Sequence, residues 1–519
     1  VLVPSHKSHI DYLVLSYVFY NYSLIPPHIA AGENLSFWPM GAIFRRAGAF
    51  FLRRSFAGDP LYTKVFNAYL VKLLEEGFFI EFFIEGTRSR TGKLNPPKYG
   101  MLNMLVDAFA TGTVGDVAFV PVSVGYENVI EGATYQKELE GGEKQAESLG
   151  GLLKTSKVLQ SKYGRVYVEF GEPIDAATFL QTYHPDGTAG LPRDEMERTV
   201  RRLAYAIIHR INDVTTVTPS AVAALVILNY PARGMDRAAL VREVGFVVAF
   251  LRERGVRLSG SLEMAIASRF ASIRGHLTTP LDVQVLDEYD RDYVDEAARM
   301  PAANSTVRLT DEALGEAVYA ALDEAFRLLA SKGLIDVRLL DDATVIVAPE
   351  ERRTELAFYK NNIIHYFVPE AVFATALWAG KGGEIDGEGL HGSVRLLSRL
   401  LKHEFCFEER AQFDEVLSRT RAYFAARGWI DERGGDRVAV SDPPPAGVEF
   451  LRGLLIPTLE AYYLCAMVAA ESAGDWIDER ALMKRAITRG KAMHLKGELQ
   501  FGEAYSKATL ENAVRVYRE

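Results

Sequence analysis

Short, wholly apolar runs alternate with helical patterns over the first 180 or so residues. Val1-Leu-Val-Pro4 reads as the end of a buried strand feeding a turn, and Ser8–Tyr20 follows as a helix. Asp59-Pro60 supplies an N-cap and a first-turn proline, and Gly77 supplies a stop. Between them Leu61, Val65, Tyr69 and Leu73 recur every four residues as one apolar face. Phe78–Glu85 is too short and too continuously apolar for a surface strand, which predicts burial on both faces. Val117–Val124 and Arg165–Phe170 read likewise. Strand, helix and strand in turn predict an α/β fold with a largely buried sheet flanked by helices.

The Pro/Gly-rich stretch Tyr183–Pro192 breaks this pattern, and helical periodicity dominates beyond it. The expected organisation is a catalytic domain over 1–182, a linker over 183–194 and a mainly helical C-terminal domain over 195–519. A weak repeat runs through the last part: Leu328–Asp336 parallels Tyr423–Asp431, each a helix end, a glycine stop and a short strand. Second strands follow at Thr344–Val347 and Val438–Val440, so both copies read as winged-helix-like units.

Charge sharpens the picture. The chain carries a net −9, yet residues 1–100 hold 11 Lys+Arg against 7 Asp+Glu. A basic N-terminal part on an acidic body suits an anionic substrate or a membrane surface, and no nucleic-acid partner is expected. The two cysteines, Cys406 and Cys465, have no metal-ligand spacing and read as core thiols of a reducing compartment. The run Gly453–Ala470 approaches membrane-spanning length, but Pro457 and Glu460 interrupt it, which favours a buried helix. The chain opens on Val1, five residues before its first candidate catalytic group, so a preceding N-terminal region is expected.

Four blocks carry the chemistry: His6–Asp11, Gly48–Arg54, Phe83–Gly92 and Val120–Tyr126. Five positions apart on one helix, His6 and Asp11 would point about 140° from each other. With His6 on the preceding loop and Asp11 on the first turn they can meet, the carboxylate fixing the tautomer that leaves Nε2 as a base. The bland alternative is a surface histidine beside a first-turn acid. Arg45, Arg46, Arg53 and Arg54, then Arg88, Arg90, Lys93 and Lys98, cluster as candidate phosphate ligands or as a solvated face. Gly86 permits a turn whose N–H groups suit a phosphate or an oxyanion. Glu81 and Glu85 share a strand face and call for cationic partners, with the nearby arginines as candidates. Pro121, inside an apolar strand, marks an edge, a bulge or a pocket wall.

In order and spacing these blocks resemble those of the glycerol-3-phosphate acyltransferase family, particularly its large bacterial membrane-associated members. His6/Asp11 is similar to that family's HxxxxD block, Gly48–Arg54 to its second, Glu85–Arg90 to its third and Val120–Tyr126 to its fourth. Tyr359–His365 also resembles a stretch of the family's C-terminal half. The resemblance implies a glycerolipid-acyltransferase-like sheet. It implies transfer of an acyl group from acyl-CoA or acyl carrier protein to the sn-1 hydroxyl of glycerol 3-phosphate, the first step of phospholipid synthesis. His6 would be the base, Asp11 its orienter, and Gly86 part of the catalytic turn. Arg53, Arg54, Glu85, Arg88, Ser89 and Pro121 would serve the phosphorylated acceptor. No metal and no cofactor beyond the acyl thioester co-substrate is expected. The implied location is the cytoplasmic face of the inner membrane, peripheral or anchored by the missing region. The alternatives are a dihydroxyacetone-phosphate acyltransferase and a non-catalytic membrane-peripheral scaffold.

Overall fold

The computed structural model describes residues 1–36, 38–53, 59–142, 164–188, 190–232, 234–275, 310–340, 343–380, 384–406, 412–434, 436–472 and 478–519. A seven-stranded sheet organises the N-terminal part. Its elements run β1 (Leu2–Pro4), α1 (Asp11–Asn21), β2 (His28–Gly32), α2 (Met40–Arg46), β3 (Ala49–Leu52), α3 (Pro60–Glu75), β4 (Ile80–Glu81), α4 (Gly100–Ala110), β5 (Ala118–Tyr126), α5 (Gly132–Leu139), β6 (Val166–Phe170) and β7 (Ile174–Asp175). The order is β3-β2-β4-β1-β5-β6, with β7 beside the start of β5. β1 to β5 are parallel, whereas β6 and β7 run antiparallel to β5.

Two outward steps lead from β1 to β3 and two return from β3 to β5. Right-handed crossovers then set α1 and α2 on one face and α3 and α4 on the other. The larger core lies on the α3/α4 face, where Phe66, Leu70, Leu102 and Leu105 meet Val3, Ile80 and Phe119. The helix Arg193–Asp213, which begins inside the expected 183–194 linker, adds Val200, Leu203 and Ile207 to that same core. On α3 the sequence pattern was ambiguous because the helix is apolar on two sides. It buries Phe66, Leu70 and Leu73, and it leaves Leu61, Val65 and Tyr69 exposed. The capping signals are as expected: Asp59 accepts from the Tyr62 amide at 2.9 Å and Gly77 takes φ +74°.

Two strands differ from the expected double-sided burial. Phe78 and Phe79 are exposed, because the regular strand begins only at Ile80. β6 is an edge strand, so Val166 and Phe170 also face outward. Pro121, by contrast, sits in a central strand opposite Val3. It falls where the antiparallel neighbour of β5 changes from β7, ending at Phe119, to β6, starting at Val122. A residue without an N–H is tolerated at that gap.

The C-terminal region holds the expected duplication with one strand more per copy. Met235–Asp236 joins Asp336–Leu340 and Ala343–Val347 in one three-stranded sheet, and Glu384–Asp386 joins Ile430–Arg433 and Arg437–Val440 in the other. Each extra strand ends in an aspartate, Asp236 or Asp386, that caps the next helix through the amide three residues on, at 2.7 Å in both copies. The apolar run near Gly453 is two helices, Ala446–Gly453 and Ile456–Glu471, bent by 44° at the break between them. Tyr462, Leu464, Cys465 and Val468 of the second are buried in a satellite core.

The two regions interlock at the loop after β4. Gly92 takes φ +87°, and a Cβ there would run into the Phe358 carbonyl on the helix Arg353–Asn361. Asn361 Nδ2 donates to the Thr91 carbonyl at 2.8 Å, and Lys93 pairs with the buried Glu404 at 2.6 Å. Gly77, with a similar φ, has nothing within 4 Å of an added Cβ. Gly77→Ala is therefore expected to cost about 1–2 kcal/mol, the left-handed penalty alone. Gly92→Ala should cost about 2–5 kcal/mol, because steric overlap adds to that penalty. Urea unfolding midpoints of the two variants test the difference; equal losses would contradict this account of the interlock.

Candidate active site

The C-terminal ends of the parallel strands share one rim of the sheet, the edge at which open α/β sheets place their ligands. The loop leaving β1 reaches that rim first. It is tied to β5 by the Ser5 amide on the Val122 carbonyl at 2.8 Å and by the Val124 amide on Ser5 Oγ at 3.0 Å. His6 follows. Its backbone N–H donates to Glu85 Oε1 at 2.7 Å, its carbonyl accepts from the Ser89 amide at 2.7 Å, and its ring stacks on Phe83 at 4.1 Å. The loops after β1 and β4 thus hold each other around one histidine.

His6 Nδ1 stands 2.9 Å from Asp11 Oδ2, and Asp11 is the first residue of α1. The loop-plus-first-turn placement expected from spacing is the one found. Lys7 N and Ser8 N donate to the same oxygen at 2.7 and 2.9 Å, and Tyr126 Oη donates to Oδ1 at 2.5 Å. Asp11 is fully buried, while the His6 side chain is 19% exposed. A carboxylate can only accept, so the imidazole proton lies on Nδ1. Nε2 then has no protein partner among the described residues and is open to a reacting hydroxyl.

Behind this pair lies a second layer. Glu131, just before α5, accepts from Ser8 Oγ at 3.0 Å and from the His9 amide at 2.7 Å. His9 Nε2 meets Arg88 Nη1, and burial beside that guanidinium pushes the His9 imidazole down to about 3, so it stays neutral. Tyr135 Oη donates to the Lys7 carbonyl at 2.9 Å. Burial lowers the Lys7 ammonium to about 8 against the pull of Glu85 and Asp11, and it raises Glu85 to about 8. A cavity of about 20 Å3 lined by Lys7, Lys93, His365 and Cys406 lies behind the loop. It has room for about one water molecule, too little for a substrate.

The contacts set several of the expected site residues in surroundings that the spacing did not show. Arg88 lies against His9, Tyr135 and Glu131, and Arg90 pairs with Glu138 at 3.1 Å. Both guanidinium groups are largely covered and fasten the third block to α5. Glu85 takes no arginine among the described residues: its oxygens are used by the amides of His6 and Asn95, each at 2.7 Å. Ser89 is fully buried, and its hydroxyl closes the loop by donating to the Lys93 carbonyl at 2.6 Å. Gly86 does take a left-handed φ of +68°, but its own N–H is bound to the Phe83 carbonyl at 3.0 Å. Arg53 stands at the end of β3 on the same rim, half-exposed, paired with Asp59 at 2.8 Å and lying over the Tyr62 ring. Arg54 lies outside the described residues. Pro121 is in the sheet at the level of Val3, below the rim.

The sequence reading missed Lys7, Tyr126 and Glu131. For Tyr126 a signal existed: a buried phenol at the end of an apolar strand needs an acceptor. Nothing local marked Glu131, which lies over 120 positions from the loop it holds. The stretch Tyr359–His365 packs against the segment that follows β5. Tyr359 Oη donates to Asn128 at 3.0 Å and accepts from the Val129 amide, directly after β5.

Residues 135–279 and 293–519 match the family described as "Glycerol-3-phosphate acyltransferase C-terminal region", and residues 1–125 match that described as "Acyltransferase". A curated glycerol-3-phosphate acyltransferase of Pseudomonas putida (strain GB-1) is 29% identical over 528 residues, 99% of this chain and 56% of that one. One from Pseudomonas aeruginosa (strain UCBPP-PA14) is 30% identical over 527 residues, again 99% of this chain and 56% of the relative. The chain thus spans about half the length of the curated relatives it matches. The crystal structure of the 1-acyl-sn-glycerophosphate (LPA) acyltransferase from Thermotoga maritima aligns at 21% identity and a TM-score of 0.23, over 40% of this chain and 64% of that one.

Glu81 is the acid of this region that no described partner satisfies. It is buried in β4, and neither carboxylate oxygen has a hydrogen-bond partner among the described residues. Burial, then the nearby charge of Asp11, holds its pKa well above the usual 4.5. The folded protein therefore keeps a proton that the unfolded chain releases, and stability falls as pH rises above about 4.5. Glu81→Gln should remove that fall. We expect the variant to be about 1–3 kcal/mol more stable than the parent at pH 8, with the gap closing towards pH 4. Urea titrations at both pH values decide it; a gap that widens on acidification would refute a protonated Glu81.

Proposed function

The chain belongs to the glycerol-3-phosphate acyltransferase family, and on that premise we propose that it moves an acyl group from an acyl-CoA or acyl carrier protein thioester to the sn-1 hydroxyl of glycerol 3-phosphate. The observation that carries this reading is the His6–Asp11 pair at 2.9 Å, buried on the carboxylate side and open on the other. Such a pair is a general base whose orientation is fixed and whose positive charge, once formed, is stabilised.

His6 Nε2 takes the proton of the acceptor hydroxyl as its oxygen attacks the thioester carbon. The C–S bond breaks as the resulting oxyanion collapses, and the departing thiolate recovers the proton from the imidazolium. The substrate supplies the nucleophile, so no enzyme side chain is acylated. Both cysteines suit bystanders, since burial pushes Cys406 up to about 12 and Cys465 up to about 11. Three strand spacings separate β1 from β3, about 14 Å. A small phosphorylated polyol between them, hydroxyl towards His6 and phosphate towards Arg53, would bridge part of that gap, and the two side chains would reach across the rest. Arg53 is the phosphate ligand we favour, because Arg88 and Arg90 are engaged by α5.

Acceptor-dependent thiol release from palmitoyl-CoA, and from palmitoyl acyl carrier protein, tests the proposal. His6→Ala should lower turnover by about 10²–10⁴ without unfolding the protein. Unchanged release would remove the base assignment, and release without acceptor would indicate a thioesterase. Competition between glycerol 3-phosphate and dihydroxyacetone phosphate separates the two acceptors. Arg53→Ala should raise the KM for glycerol 3-phosphate roughly tenfold or more while changing kcat less. A fall in kcat at constant KM would place the phosphate elsewhere.

A further inference from the structure

Lys7 stands between the two acids that hold His6, and the mechanism above makes no use of its side chain. Its backbone is fixed on both sides: the amide donates to Asp11 Oδ2 at 2.7 Å and the carbonyl accepts from Tyr135 Oη at 2.9 Å. The side chain turns inward and the residue is only 2% exposed. Its ammonium makes no hydrogen bond and no ion pair among the described residues. The charges that favour it are those of Glu85, which takes the His6 amide, and Asp11, which takes the His6 ring. A buried ammonium without a direct partner is costly, and these two acids are what offsets it.

The side chain lines the cavity of about 20 Å3, whose opposite wall belongs to the helical region. Asn362 and His365 of that wall come from the stretch Tyr359–His365. Asn362 Nδ2 donates to the Phe358 carbonyl at 2.9 Å, while its Oδ1 is buried with no partner among the described residues. His365 Nε2 donates to the Asn212 carbonyl at 3.1 Å, and burial pushes the imidazole down to about 3, so Nδ1 is an acceptor. Lys93 faces the same space but is paired with Glu404 at 2.6 Å, and Cys406 is a protonated thiol. One water fits the space, accepting from the Lys7 ammonium and donating to Asn362 Oδ1.

We infer that Lys7 is a positioning residue for the His6 base: its ammonium steadies the two carboxyl groups that grip His6 and is anchored, through one water, to Asn362 of the helical region. The role deepens the acyl-transfer reading and rests on it. Lys7 touches neither the acceptor nor the thioester; it acts through Asp11 and Glu85. The charge of Asp11 already opposes ionisation of Glu85, and that of Lys7 favours it. Without the cation both acids shift towards their protonated forms, and the hold on His6 loosens from two sides.

The test measures acceptor-dependent thiol release by the whole chain in Lys7→Met, Lys7→Arg, Asn362→Ala and the Lys7→Met/Asn362→Ala double variant. Lys7→Met should lower kcat about 10–100-fold, leave the KM for glycerol 3-phosphate within about twofold, and move the pH of half-maximal kcat upward. Lys7→Arg keeps the charge and reaches into the water's space, so kcat should return to within about fivefold of the parent. Asn362→Ala should lose about two- to fivefold, a loss that disappears when Lys7 is already Met. Parental kcat in Lys7→Met, an unmoved pH profile or fully additive losses would overturn the assignment. A second readout needs no turnover. Burial lowers the Lys7 ammonium from 10.5 to about 8, so over that range the folded parent has released a proton that the unfolded chain keeps, and it gains stability as pH rises. Lys7→Met lacks this gain, and the urea midpoints of the two should separate in the parent's favour above about pH 8. A constant separation would overturn the buried placement. If the midpoints separate while the parent shows no acceptor-dependent release, the acyl-transfer reading has failed, and the positioning role falls with it although the placement stands.

Discussion

A single buried carboxylate fixes the geometry of this protein's site. Asp11 is withdrawn from water at the start of α1 and accepts four hydrogen bonds, from the His6 ring, the Lys7 and Ser8 amides and the Tyr126 phenol. An ionised group in such a place is tolerable only if its lone pairs are taken up, and each donor is thereby placed. The loop after β1 must turn back on the helix it precedes. β5 must end at the height that brings its tyrosine to the acid. The position of His6 follows from those two requirements, and Phe83 and Glu85 add the support of the neighbouring strand.

Around that acid the arginines divide by location. Those following β4 face α5 and are matched by Glu131 and Glu138, so they join two parts of the chain. Arg53, on the far strand of the rim, has an exposed partner in Asp59, a weak tie in water that a phosphate can displace. The basic character of the first hundred residues is therefore not one field. Part of it is internal fastening, and part is turned outward.

Legibility in the sequence followed the span of each interaction. His6 and Asp11 are five residues apart, so spacing and helix geometry were enough to pair them. Asp59, Gly77 and Gly86 announce themselves through local backbone demands. The engagement of Arg88 by α5 depends on residues more than forty positions away, and the use of Tyr126 by Asp11 spans 115, so neither could be read from a window of sequence. α3 misled for another reason: apolar on both sides, it gave a periodicity whose face, Leu61, Val65, Tyr69 and Leu73, buries Leu73 and leaves the other three exposed. The wings were found by their long helices and glycine stops. Their third strands, Met235–Asp236 and Glu384–Asp386, are too short to produce an alternation at all.

The contact of Gly92 with Phe358 bears on how such a protein can change over time. A catalytic loop seated against a distant helix, with no room for even a methyl group between them, cannot be exchanged without its seat. The β-sheet half and the helical half must then be inherited and altered together, and recombination that joins one lineage's sheet to another's helices would produce misfitting hybrids. The acyltransferase sheet here is not a portable module with an appendage. Its helical neighbour is part of the same heritable unit.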